Sequence, residues 1–343
     1  MVIDSDERGR ERPLWLFLSE PGLGGLLMKE LKFRDVIRQK ARPQSWHLRN
    51  YDLLVFPDSQ IVGPANTSRI ALDVLVCPVF GRYKISDRQL DRLAAVAKAE
   101  GCDGLVSSVA GTSFQRQDIM RWLEARLGER GARFTRESTR PLRLFIIDES
   151  YYFGFAFFNC HQAPGRARDA DRHGSLPLTI AAAMCFAANP QTHEVVWDPV
   201  AGTGTLLREF AALESEAVLI GSDIDARAIE VAKANLTGIP NVEVHIADSS
   251  KHALGRSNLT LTLANLPFGK QFGSPELNAS IYEGIFRSSL AHAAPNWRAC
   301  VITSDERSLD TAINAIPTLS RQKLIAVRVR GREAGIYLVG TKR

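Results

Sequence analysis

Apolar and polar positions change period several times along this chain, and the changes mark out its elements. In the second half, short apolar runs alternate with amphipathic stretches. Val195-Val196-Trp197, Ala217 to Gly221, Val242 to Ile246 and Leu259 to Ala264 each read as a short strand bounded by turn residues. A helical pattern follows the first run at Leu206 to Phe210, and Asp225 ahead of Ala226 to Ile229 has the place of a helix cap. Strands alternating with helices predict β-α units and a mostly parallel sheet. A preceding helix, apolar at Ile180, Ala183, Met184 and Ala187, fits burial against that sheet and ends at Asn189-Pro190. At the end of the sequence, Lys323 to Val329 and Ile336 to Val339 predict a terminal β-hairpin joined through Arg330 to Gly335.

The first half has a different rhythm. Helical patterns at 22–32, 87–100 and 116–128 alternate with strand-like runs at 14–18, 52–56, 70–77 and 143–158, the last broken by a turn at Asp148-Glu149-Ser150. That predicts an α+β module. Periodicity breaks at His161 to Arg166, and Asp169 to Gly174 is polar throughout, as a linker is. The expected division is therefore an α+β domain at 1–165 and an α/β domain at 166–343.

Polar residues gather where the strands of the second half end. The first strand runs into Asp198-Pro199-Val200-Ala201-Gly202-Thr203-Gly204-Thr205 and then a helix, which is the setting that gives a glycine turn meaning. The second ends at Asp223, a carboxylate suited to both hydroxyls of a ribose. The third ends at Asp248, which can accept from the amino group of an adenine. The fourth delivers Asn265-Leu266-Pro267-Phe268. An amide oxygen and a neighbouring carbonyl accept the protons of an exocyclic amine, and an aromatic ring stacks on a base. Asp198 to Asp223 and Asp223 to Asp248 are each 25 residues, one β-α unit with its loops. Ligands of open α/β sheets bind beyond the carboxyl ends of the strands, so all four groups are expected in one crevice.

Composition narrows the setting. The five cysteines (77, 102, 160, 185 and 300) form no CxxC pair, and the histidines show no metal-ligand spacing, which argues against a zinc site and a disulfide framework. No metal is expected. No run of eighteen apolar residues appears, and the charged stretch Asp4 to Arg12 lacks a signal-peptide core, so neither a membrane span nor secretion is expected. The expected compartment is the cytoplasm. The net charge is +5; residues 1–165 carry 24 Lys+Arg against 20 Asp+Glu, so most of the surplus lies in the first half. Arg126, Arg130, Arg133, Arg136, Arg140 and Arg143 fall within eighteen residues, and Arg166, Arg168 and Arg172 mark the junction. These clusters read either as phosphate contacts or as solvated surface.

Residues 175–343 resemble the class I S-adenosylmethionine-dependent methyltransferases, and among them the THUMP-associated RNA methyltransferases. DPVAGTGT is similar to that group's DPxxGSGT loop and NLPFG to its (N/D)(L/P)P(Y/F)G loop. The segment Gly174 to Met184 resembles the helix entering the catalytic domain, and Lys323 to Val339 the closing hairpin. In the first half, Pro21-Gly22-Leu23 with Leu26, Leu27, Glu30 and Leu31, then Ser113 to Leu127, then Phe145 to Asn159, are similar to those proteins; residues 35–110 depart from them.

The resemblance implies a Rossmann-like catalytic domain behind a ferredoxin-like or THUMP-like region that recruits RNA. It implies S-adenosylmethionine as cofactor, held by Asp198, Pro199, Gly202, Thr203, Gly204, Asp223, Ile224, Asp248, Ser249 and Asn265, and catalysis by Asn265, Leu266, Pro267 and Phe268. The implied reaction is methylation of an exocyclic amine, first of guanosine N2 in tRNA. The alternatives are ribosomal guanosine, adenine N6 in RNA or DNA, a protein glutamine, and a non-catalytic RNA-binding protein with a vestigial cofactor fold. Oligomeric state is left open.

Overall fold

A computed structural model of the chain describes residues 12–110, 115–135, 137–159, 175–251, 257–267 and 275–342. They group into two compact units, Met1–Ser19 with Met28–Ala163, and Glu20–Leu27 with Pro164–Arg343. Residues 20–27 thus fall with the second unit, where the Pro21 carbonyl accepts from the Arg328 N–H at 3.3 Å.

The first unit is built on one seven-stranded sheet. In chain order it comprises β1 (Leu14–Ser19), the part of α1 (Gly24–Phe33) from Met28 on, β2 (Gln44–His47), β3 (Asp52–Pro57), two 3-10 turns, β4 (Asp73–Arg82), α2 (Asp87–Ala99), β5 (Gly104–Ala110), α3 (Arg116–Gly128), β6 (Pro141–Ile147) and β7 (Ser150–Asn159). The strand order is β2-β3-β1-β4-β7-β6-β5. β1 inserts antiparallel between β3 and β4, and β2 closes the edge antiparallel to β3. This is a split β-α-β arrangement in which the 3-10 turns at Asp58–Gln60 and Ala65–Thr67 stand where a second helix would. Buried Glu30 of α1 organises that stretch by accepting from Ser68 Oγ at 2.7 Å and from the Arg69 and Ile70 N–H groups at 2.9 and 3.0 Å.

Two strands of this unit are missing from the sequence reading. β2 is a mostly exposed edge strand without apolar alternation, and β5 is an edge strand of mainly small residues, so neither shows a clear period. The run at 143–158 is two strands, β6 and β7, turning at Asp148, whose φ is 54°.

The second unit carries α4 (Leu178–Ala187), β8 (Val195–Asp198), α5 (Thr205–Ala211), β9 (Val218–Asp223), α6 (Ala226–Asn235), β10 (Val242–Ile246), β11 (Leu259–Asn265), α7 (Pro275–Ala291), β12 (Ala293–Thr303), α8 (Glu306–Asn314), β13 (Leu319–Val329) and β14 (Arg332–Thr341). Its sheet runs β10-β9-β8-β11-β12-β14-β13, parallel from β10 to β12. Central parallel strands are covered on both faces, which is why β8 reads as a short apolar run and why Thr262 of β11 is buried along with the leucines it alternates with. Every residue from Leu178 to Cys185 of α4 is buried, as a helix apolar all round must be.

The terminal hairpin differs from expectation in its turn. It turns on two residues, Arg330 and Gly331, with φ values of 50° and 82°, rather than through Arg330 to Gly335. The hairpin forms the antiparallel end of the sheet: β14 lies antiparallel between β12 and β13, and β13 forms the margin. At the opposite end of the sheet from the glycine turn, Arg298 ties β12 to the start of β8. It pairs with buried Glu194 at 2.7 Å and donates to the Ala188 and Asn189 carbonyls at 2.7 and 2.9 Å.

Candidate active site

β8, β9, β10 and β11 are neighbours and parallel, so their carboxyl ends open on one side. Register fixes the levels: Asp198 lies opposite Gly221, Asp223 opposite Ile246, and Asn265 opposite Ile302. The four polar strand ends named from sequence are therefore brought to one margin of the sheet.

The turn after β8 depends on its glycines. Gly202 has φ 52° and Gly204 φ 78°, the left-handed region that glycine enters without a Cβ penalty. A Cβ on Gly204 would also stand 2.9 Å from Leu236 Cδ1. Asp223 clasps the turn from the next strand. One carboxylate oxygen accepts from the Gly202 N–H at 2.8 Å and the other from the Asp225 N–H at 2.9 Å. Asp225 caps α6, accepting from the Arg227 N–H. Ionised Asp223 has lone pairs beyond those two bonds, enough to receive hydroxyl donors. Beside it, Ile224 is 73% exposed, an apolar surface placed to meet a flat ring.

Other named residues are more deeply set. Asp198 and Pro199 are buried, and Asp198 accepts from the Val200 N–H at 3.1 Å. Burial, with Asp223 nearby, pushes the Asp198 pKa up to about 8. The Thr203 side chain is 5% exposed, and its hydroxyl lies 3.3 Å from those of Thr205 and Ser175. It serves the turn from within.

Asp248 is engaged on both oxygens. One accepts from Ser250 N–H and Oγ at 3.1 and 2.6 Å, and the other pairs with Lys251 at 2.8 Å. Lys251 and Ser250 together hold its pKa down at about 2, so it is a carboxylate at any working pH. The carboxylate expected from sequence to receive an adenine amine is therefore already engaged by Lys251 and Ser250. Ser249 is 6% exposed, and its Oγ is buried without a hydrogen-bond partner.

Asn265 closes β11. Its side-chain oxygen is buried and, among the described residues, accepts no hydrogen bond. The next residue, Leu266, contributes backbone only: its side chain is 1% exposed in the core with Trp197, Tyr282 and Phe286, and its N–H donates to the Ile302 carbonyl at 3.0 Å. The Pro267 carbonyl, expected to be an open acceptor, already accepts from the Tyr282 hydroxyl. Phe268 lies outside the described residues, as do Cys160, Arg136, Arg166, Arg168 and Arg172.

Sequence reasoning missed Tyr282, Thr303, Ser175 and Asn235, whose Nδ2 donates to the Thr203 carbonyl at 3.1 Å. Tyr282, Thr303 and Asn235 sit in no local motif and reach the site through packing, and Ser175 lies in the segment entering the domain without a signal of its own. Among the described residues, no group of three or more His, Cys, Asp or Glu side chains is placed to hold a metal. No helix among them is long and apolar enough to cross a membrane. Cys77 and Cys300 are inert, because burial raises the first thiol and pushes the second to about 12.

Comparison with known proteins agrees with this fold. Residues 166–334 match the family described as UPF0020, RMKL-like, methyltransferase domain. The tRNA (guanine(6)-N(2))-methyltransferase THUMP3 of Mus musculus is 24% identical over 182 residues, which is 48% of this chain and 36% of that protein. Its counterpart from Bos taurus is 25% identical with the same coverage, so the matched part spans 36% of these relatives' length. Among solved structures, TrmN from Thermus thermophilus superposes with a TM-score of 0.78 at 19% identity, covering 96% of this chain and 100% of that one. SMU.472, a putative methyltransferase complexed with SAH, gives 0.66 at 11% identity, covering 96% and 98%. At such identities the structures establish the fold. Strand order, motif placement and the family match together make residues 166–334 a class I S-adenosylmethionine-dependent methyltransferase domain, similar to the UPF0020, RMKL-like methyltransferase domain.

Proposed function

We propose that this chain methylates the exocyclic N2 amine of a guanosine in RNA, with tRNA as the substrate class. The observation that carries the reading is the oxygen of Asn265, an acceptor buried at the end of β11 with no hydrogen-bond partner among the described residues. A buried acceptor left unbonded costs about 1–3 kcal/mol, a cost that makes sense where a substrate donor is to be received. The guanosine choice draws on the curated relatives, which are named as tRNA guanine-N2 methyltransferases.

S-adenosylmethionine, when bound, supplies a methyl group on a positive sulfur, and transfer breaks that C–S bond as the amine nitrogen forms its new C–N bond. The residues that fit it are those at the strand ends. Asp223 takes the ribose hydroxyls, Ile224 lies against the adenine, and Asp248 with Ser249 receives the adenine edge. The Gly202-Thr203-Gly204 backbone leaves room for the methionine part. Asp198 accepts from its ammonium, which requires the carboxylate to shed the proton that burial favours. Asn265 accepts one N–H of the substrate amine and so turns the nitrogen lone pair toward the donor. Leu266 and Pro267 shape the turn, and Phe268 stacks on the base. Catalysis on this scheme is orientation, and the displaced proton leaves after transfer without a dedicated base. A base within a duplex must first be turned out of its stack.

The division into an RNA-recruiting α+β region at 1–165 of THUMP-like kind, a catalytic domain at 166–343, and a cytoplasmic setting belongs to the same proposal. The test is transfer of label from methyl-tritiated S-adenosylmethionine to tRNA from a strain lacking the protein, followed by digestion to nucleosides. Label in N2-methylguanosine is expected. Label confined to N6-methyladenosine, or none, overturns the reading.

A further inference from the structure

α7 crosses the site and meets it at two places. Near its middle, a Cβ on Gly284 would stand 2.6 Å from the Ser250 carbonyl oxygen, so the helix lies directly against the loop that carries Asp248 and Ser249. Half a turn earlier is Tyr282, which is 0% exposed. Its hydroxyl donates to the Pro267 carbonyl and lies 3.1 Å from Thr303 Oγ1. Thr303 Oγ1 accepts from the Asp305 N–H at 2.9 Å, and Asn278, one turn before Tyr282 on the same helix face, donates to Asp305 Oδ2 at 3.0 Å. On the other side of the turn, the Leu266 N–H is bonded to Ile302. Asn265-Leu266-Pro267 is thus gripped by β12 through one backbone group and by α7 through the next.

The packing alone does not call for a phenol. Phe286, one turn further along α7 and equally buried, fills the same core with a plain ring. Placing a hydroxyl in that core is costly unless it is bonded, and both of its contacts lead to the catalytic turn and the strand beside it. Burial pushes its pKa to about 12, so it is a neutral donor at working pH.

We propose that Tyr282 is a positioning residue for methyl transfer, locking the Asn-Leu-Pro turn so that the Asn265 amide keeps its orientation. The proposal rests on the reading of Asn265 as the amine acceptor. Tyr282 bonds neither Gly202 nor Asp223, so its hydroxyl acts on the chemical step and leaves cofactor affinity alone.

The test compares the full-length chain with Tyr282→Phe by three measurements: hydrogen–deuterium exchange over Leu259 to Pro267, S-adenosylmethionine affinity by calorimetry, and single-turnover methylation of tRNA. Expected are at least tenfold faster exchange at Leu266, cofactor affinity within twofold, a turnover rate 10- to 30-fold lower, and no further loss when Tyr282→Phe is added to Asn265→Ala. Unchanged exchange and rate, or a loss that multiplies with that of Asn265→Ala, overturns the proposal. If Tyr282→Phe fails to fold, Thr303→Val removes the hydroxyl's other contact and is expected to give the same pattern at about threefold; no change in exchange or rate in that variant counts against the proposal. Exchange is read without activity. A wild-type chain that methylates no RNA therefore defeats the functional reading, whereas an active chain with unaltered Leu266 exchange in Tyr282→Phe defeats only the role of Tyr282.

Discussion

Asn265 holds an acceptor away from water with no hydrogen-bond partner among the described residues, an arrangement that weakens the fold by about 1–3 kcal/mol. Removing it should therefore spare stability while damaging catalysis. We expect Asn265→Ala to keep its melting temperature or raise it, to bind S-adenosylmethionine within threefold of wild type, and to turn over at least a hundredfold more slowly. The last is a barrier increase of about 2.7 kcal/mol. Calorimetry and single-turnover kinetics on one preparation check all three.

Asp198 offers a pH test. Its folded pKa, about 8, lies above its ordinary 3.8, so the native state holds a proton that the unfolded chain releases. This group's contribution is fully present below pH 3.8 and is lost as pH rises to about 8, because the unfolded chain binds fewer protons in that window. Asp198→Asn keeps an acceptor for Val200 without the ionisation. Thermal melts from pH 4 to pH 8 should fall more steeply for wild type than for the variant, and parallel curves would show that burial is not what governs this carboxyl. The positions of Asp198, Asp223 and Asn265 were legible in the sequence because strand ends carry their own punctuation. Tyr282 was not, because only the packing of α7 brings a residue seventeen positions beyond Asn265 back to its turn.

Among elements, the β-α units of the second unit follow directly from short apolar runs separated by caps and glycines, and β8 to β11 fall within a residue or two of those runs. β2 and β5 were invisible because edge strands need neither alternation nor bulk. The hairpin was legible in its arms, but its two-residue turn at Arg330-Gly331 was not, since Arg332 to Gly335 read as connection when they are ladder. The contact of α7 with the Asp248 loop gives an element-scale prediction. In Gly284→Ala the new methyl meets a backbone carbonyl, so Ser250 and its neighbours must shift. We expect cofactor affinity to fall five- to tenfold and turnover at saturating cofactor to change less than twofold. A loss confined to turnover would show that α7 acts only through Tyr282.

Across the whole molecule, the surplus of positive charge in the first half suggested an RNA surface, and the structure divides that cluster. Arg130 bridges Asp87 and Asp91 at 2.6 and 2.7 Å, joining α3 to α2, and Arg143 pairs with buried Asp73 at 2.6 Å. Those two arginines hold the fold, a use that counting charges cannot reveal. Arg133 and Arg140 are exposed and remain candidates for phosphate contact. The double charge reversal Arg133→Glu/Arg140→Glu should weaken tRNA binding at least fivefold at low salt, flatten its salt dependence, and leave S-adenosylmethionine affinity unchanged. Filter binding across a salt series checks this; equal slopes would place the RNA surface elsewhere.

The most direct measurement is a crystal structure of the chain grown with S-adenosylhomocysteine. The ribose should lie on Asp223 and the sulfur should face the amide of Asn265 across the end of β11. A ligand seated away from these strand ends, or an Asn265 oxygen bonded within the protein core in that complex, would contradict the proposed chemistry.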